Sequence, residues 1–180
     1  MTTLPAALRR QCEAIATERR ALLGLHAFDR LRADDLARDL GAIVHYPHTL
    51  PDFEPHHVAT LLASDQWSGA LIRREPPFIV LNPRHSLARR ESDLMHELAH
   101  VLLGHAMVHF DPKTDLPARR PEDEEEACYL GGCLQIPRRG LLWALQCGMT
   151  VPQVAAHFGA SEDMVVYRSR VTRVPVNTTR

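Results

Sequence analysis

The sequence predicts an α+β fold, with a small mixed or antiparallel sheet packed on a helical core and a helical tail at the C-terminal end. Three observations predict it. Apolar residues recur at helical spacing in the first forty residues and again beyond residue 86, whereas strand-like runs are short and confined to residues 42–82. Hydrophobic residues make up 45% and charged residues 24% of the 180, a globular composition at the size of one domain with room for a small helical appendage. No apolar run approaches the ~20 residues that a spanning helix needs, and residues 1–20 carry charges where a signal peptide would be apolar. The expected compartment is therefore the cytoplasm, with no membrane partner.

The elements follow in order. Over residues 5–23, Ala6, Leu8, Cys12, Ile15, Leu22 and Leu23 recur among Arg and Glu, which predicts an amphipathic helix. A short helix follows at 32–40, because Asp34 and Asp35 suit a first turn and Gly41 supplies a left-handed stop. Ala42-Ile43-Val44-His45-Tyr46 reads as a strand. The Pro-rich and acidic stretch 49–55 reads as loop, and 57–62 as a helical turn. Two further strands, 67–72 and 78–81, are separated by Arg73-Arg74-Glu75 and Pro76-Pro77.

From 86 to 104 the pattern is helical, with Leu87, Leu94, Leu98, Val101 and Leu102 on or near one face and Gly104 as its cap. Residues 109–120, which include Pro112 and Pro117, read as irregular loop. Pro121 opens a helix to about 134 whose first turn is acidic. Pro137 opens the next, Gly148 ends it, and 151–158 with 161–172 form a final helical pair.

The net charge of −1 gives no global field that would draw nucleic acid or acidic lipid. The four cysteines, Cys12, Cys128, Cys133 and Cys147, contain no C-x-x-C pair and read as reduced thiols. Of the 11 histidines, those at ligand spacing carry the argument.

His96-Glu97-Leu98-Ala99-His100 is an H-E-x-x-H motif inside the predicted 86–104 helix. Residues four apart share a helix face, so His96 and His100 can chelate one ion. Glu97 lies roughly 100° round the helix, where its carboxylate can serve as general base rather than ligand. This chemistry predicts peptide-bond hydrolysis with Zn2+, although two imidazoles and a carboxylate also accept Mn2+ or Fe2+.

A catalytic zinc usually takes three protein ligands. The metzincin pattern H-E-x-x-H-x-x-G-x-x-H is excluded, because Leu103 and Ala106 occupy its glycine and third histidine positions. The remaining route is a carboxylate from the run Glu122-Asp123-Glu124-Glu125-Glu126. Candidates for a donor to the developing oxyanion are Tyr46, Tyr129, His105 and His85, unranked by sequence.

Beyond the pentapeptide, residues 40–168 resemble the ImmA/IrrE-type metallopeptidases. The resemblance is carried by Phe78-Ile79-Val80-Leu81-Asn82, then Arg89-Arg90-Glu91, the H-E-x-x-H helix, and Glu124-Glu125-Glu126-Ala127-Cys128-Tyr129-Leu130-Gly131 through to Leu134-Gln135-Ile136-Pro137. It implies a zincin-like, gluzincin-type peptidase domain over 1–147, containing the sheet at 42–82, the motif helix at 86–104 and the third-ligand helix at 121–134. It implies Glu124 as third ligand beside His96 and His100, with Glu126 and then Glu125 as fallbacks.

Cys128 stands where that family usually carries an Asn able to orient a ligand histidine, and Leu130-Gly131 stand where it has Phe-Ala. Residues 148–180 resemble the family's helix-turn-helix-like tail, on which Arg168, Arg170 and Arg173 form a basic edge. The implied substrate is a helix-turn-helix transcriptional repressor in a stress-response or mobile-element circuit. Two other readings stay open, a non-catalytic metal-containing regulator that binds a repressor and a DNA-binding module acting through the tail.

Overall fold

The computed structural model describes residues 4–50, 55–114 and 116–176. It is α+β, as predicted. Helix α1 (Ala6–Leu22) buries Cys12, Ala16 and Arg20, one face at fourfold spacing. Helix α2 (Ala33–Asp39) begins with Asp34 and Asp35, which complement the positive helix start, and ends where Gly41 enters the left-handed region at φ 63°. There Ala42 N–H reaches back to the Ala37 carbonyl at 2.8 Å.

Strand β1 (Ile43–His45) pairs parallel with β3 (Pro77–Leu81), and β2 (Gly69–Arg74) pairs antiparallel with β3, so the three-stranded sheet is mixed and ordered β1-β3-β2. A bulge between Leu71 and Arg73 shifts the β2 register, and Arg73 and Arg74, expected in the connection, extend the strand. Helix α3 (Pro55–Ala63) lies between β1 and β2 in sequence. Residues 51–54 of the expected 49–55 loop lie outside the described residues, and 47–49 form a single 3-10 turn.

Helix α4 (Leu87–Leu103) packs against β2, β3, α2 and α5, which makes it the centre of the main core. Ser86 Oγ caps its start by accepting from Arg89 N–H at 3.3 Å, and Gly104 closes it at φ 72°. Leu94, Met95, Leu98 and Ala99 are buried. Leu87 departs from its expected place, because it is 78% exposed in the first turn and points away from the core.

The stretch 109–120, expected to be irregular, contains a short hairpin in which β4 (His109–Phe110) pairs with β5 (Pro117–Ala118). Asp111 stabilises its bend, with Oδ1 accepting from the N–H groups of Lys113 and Thr114 at 2.8 and 3.1 Å. Two-residue strands, one of them holding a proline, are too short to show alternation in sequence.

Helix α5 (Pro121–Gln135) packs on α4 and α1. Its C-terminal carbonyls are met by two buried arginines, Arg20 donating to Gln135 O at 3.2 Å and Arg168 to Ile136 O at 2.8 Å. Helices α6 (Arg138–Gln146), α7 (Val151–Phe158) and α8 (Glu162–Thr172) enclose a second apolar cluster around Ile136, Leu141, Val154, Phe158 and Val165. Gly159, at φ 65°, makes the turn between α7 and α8.

Arg168 corrects the expected basic edge of the tail. It is wholly buried, ion-paired to Glu13 of α1, with its guanidinium 5.2 Å from the Tyr129 ring centroid, so it faces the interior and cannot meet a phosphate. Among the described residues, no helix is long and apolar enough to cross a membrane. All four cysteines are free thiols, Cys12 and Cys133 buried, Cys128 and Cys147 exposed.

Candidate active site

Helix α4 presents His96, Glu97 and His100 to α5, and the acidic first turn of α5 brings Glu124 against them. His96 Nε2 and His100 Nε2 stand 3.0 Å apart. Glu124 Oε2 is 3.0 Å from His96 Nε2, and its Oε1 is 3.4 Å from His100 Nε2. Tetrahedral zinc ligands at ~2.0–2.1 Å from the ion lie ~3.3 Å from one another, so two imidazoles and a carboxylate at these separations fit a single divalent ion.

The grouping of His96, Glu97 and His100, whose ligand atoms lie within 4.8 Å of one another, would also accommodate an ion. Glu97 is nonetheless the poorer ligand, because its Oε2 already accepts from Arg119 Nη2 at 3.2 Å, with both side chains almost fully buried. Glu126 bonds to His105 instead, its Oε2 lying 3.3 Å from His105 Nε2. Of the acidic run, Glu124 is the residue that reaches both imidazoles.

The charges suit the arrangement. Burial lowers His100 to about 4, so its imidazole is neutral and free to donate a lone pair near neutral pH. Burial also disfavours charge on His96, but the Glu124 hydrogen bond and the nearby Glu97 outweigh it and raise its pKa. Glu124 loses some solvation, yet hydrogen bonds from His100 and His96 hold it well below the usual carboxylate range. Burial raises Glu97, a shift that the adjacent Arg119 and His96 oppose, the direction wanted in a proton acceptor working near neutrality.

Close backbone approaches hold the helix pair. A Cβ on Gly131 of α5 would lie 3.2 Å from His96 Cα and 3.3 Å from His96 N, so the missing side chain lets α5 sit directly on the motif. Ser68, Gly69, Asp93, Pro117, Ala118, Arg119 and Cys128 help line an open cleft of about 520 Å³ over Glu97, His96 and Glu124, and Met164 of α8 adds to its wall.

Residues 52–170, well over half of the chain, match the family model described as peptidase M78, IrrE N-terminal-like domain. The chain belongs to this family. A search of curated proteins returns no match. Membership makes this IrrE-like chain a peptidase, and the matched span contains α4, α5 and both cleft walls.

None of the four expected oxyanion donors lines the cleft. Tyr46 Oη accepts from Arg90 at 3.1 Å, Tyr129 lies beneath Arg168, and His85 is paired with Asp93 at 2.6 Å. His105 sits behind His100. Sequence reasoning missed Arg119, the only Arg or Lys lining the cleft among the described residues. It follows β5 in a segment without periodicity, and only the fold brings it to Glu97. Cys128 lines the cleft, and Tyr167 of α8 lies near its thiol.

Proposed function

We propose that this chain is a zinc-dependent endopeptidase in which His96, His100 and Glu124 hold the metal and Glu97 is the general base. The observation that carries the reading is the convergence of three side chains, two imidazole nitrogens 3.0 Å apart and a carboxylate whose two oxygens reach them at 3.0 and 3.4 Å, beside a buried carboxylate that takes no part in the set. A divalent ion there, Zn2+ or in its place Mn2+ or Fe2+, would polarise a peptide carbonyl and acidify a water. Glu97 accepts the proton of the attacking water and delivers it to the leaving amine. Arg119 fixes the Glu97 carboxylate and sets a positive charge at the cleft, where the carbonyl oxygen becomes anionic.

The open cleft, lined by Ser68-Gly69 and Pro117-Ala118 among others, suits an extended segment of a protein chain. In line with the resemblance, the substrate is a helix-turn-helix transcriptional repressor in the cytoplasm, cut to release a stress or mobile-element circuit. Residues 1–147 form the peptidase domain in this reading and residues 148–180 its helical tail.

The test incubates the purified protein, with Zn2+ or Mn2+, with the repressor encoded beside its gene. A discrete cleavage that Glu97→Gln abolishes while retaining metal is the expected result. An intact repressor under every condition would overturn the substrate assignment. A biological effect that survives Glu97→Gln would favour a non-catalytic regulator instead.

A further inference from the structure

We infer that Glu126, His105 and His100 form a hydrogen-bonded relay in which His105 is a positioning residue that fixes the tautomer and ring orientation of His100. This rests on the metal-site reading above. His100 directs Nε2 toward His96 and Glu124, which leaves Nδ1 on the far side of the ring. That atom lies 2.9 Å from His105 Nδ1, and His105 Nε2 lies 3.3 Å from Glu126 Oε2.

Only one arrangement of protons satisfies this chain with His100 as a ligand. His100 must keep Nε2 free of hydrogen, so its proton is on Nδ1 and is donated to His105 Nδ1. His105 then carries its own proton on Nε2 and donates it to the Glu126 carboxylate. The relay runs in one direction and ends on an anion, which makes the His100 imidazole a better electron donor.

Local structure builds the relay. Gly104 turns left-handed at φ 72°, and His105 N–H then closes on the His100 carbonyl at 3.0 Å. This folds the His105 ring back onto His100, with ring centroids 5.0 Å apart at 65°. Glu126 arrives from α5 two residues beyond Glu124, so the same helix supplies a ligand and the anchor of the relay. His100 is wholly buried and His105 9% exposed, so water does not compete readily for the bond between them. The support on the inward side of His100 therefore comes from His105.

The experiment measures Zn2+ affinity of the full chain by competition with a chromogenic chelator, and the visible absorption of the Co2+-loaded protein. His105→Ala should weaken Zn2+ binding roughly 10- to 100-fold and alter the Co2+ spectrum. His105→Gln, whose amide oxygen can accept from His100 Nδ1, should recover much of the loss. Glu126→Ala should weaken binding less than Glu124→Ala, and a loss as large as that of Glu124→Ala would overturn the relay by making Glu126 a direct ligand.

His96→Ala and Glu124→Ala separate the two hypotheses. If they retain metal, the metal-site reading itself fails. If they lose metal while His105→Ala binds Zn2+ like the wild type, or if His105→Gln is no better than His105→Ala, the relay alone is refuted.

Discussion

Gly69 of β2 stands so close to Glu97 of α4 that a Cβ there would lie 2.8 Å from Glu97 Cγ and 3.2 Å from its Oε1. The absent side chain sets where the carboxylate rests. Gly69→Ala should therefore displace Glu97 while leaving His96, His100 and Glu124 in place. The expected outcome is a loss of peptidase turnover of about 100-fold with unchanged metal content, measured by steady-state kinetics and metal analysis. Full turnover in the variant would show that Glu97 tolerates the shift.

Arg119 and Glu97 are 3% and 4% exposed at their side chains, so each is the other's compensation for lost water. Arg119→Met should destabilise the fold by about 3–5 kcal/mol in urea unfolding, because it leaves a buried carboxylate without its partner. In a Glu97→Gln background the same substitution should cost markedly less. Equal costs in both backgrounds would show that the pair is not coupled.

The metal-free protein should lose stability as pH falls from His100's ordinary 6.5 toward its folded value of about 4. Between those limits the unfolded chain binds the proton and the folded one does not, so stability rises with pH across the window, by at most ~3 kcal/mol. His96, whose pKa is raised, contributes in the opposite sense. Thermal melts of the chelated protein between pH 4.5 and 7 should show a steeper dependence for the wild type than for His100→Gln. Identical slopes would refute the assignment.

Arg168→Ala should cost about 3 kcal/mol or more of stability, since it leaves Glu13 and the Ile136 carbonyl unmatched. Arg170→Ala, at an exposed position of the same helix, should stay within about 0.5 kcal/mol. Chemical denaturation of the two variants checks the contrast.

The helices and the H-E-x-x-H pair were legible because both rest on local spacing. Apolar periodicity, the Asp34-Asp35 start, and Gly41 and Gly104 at the stops fix α2 and α4 within a residue or two. Glu124 was harder, since three consecutive glutamates look alike in sequence and only packing of α5 on α4 separates the one that reaches His96 from the one that reaches His105. Arg168 read as part of a basic edge and Arg119 carried no signal at all, because the burial of both depends on contacts far along the chain. One signal went unused. The Gly131-Gly132 pair inside a helix marks a close approach by neighbours, here the backbone of His96 on one side and the side chains of Arg168 and Tyr167 on the other.

The Glu13–Arg168 pair joins residues 155 positions apart. On a ribosome adding about 5–20 residues per second, α1 waits on the order of ten seconds or more for its partner. During that interval Glu13 has no guanidinium and the end of α5 lacks one of its two arginines. A nascent chain therefore completes this fold only once α8 has emerged, which delays assembly of the cleft that Met164 helps to wall until that helix has been made.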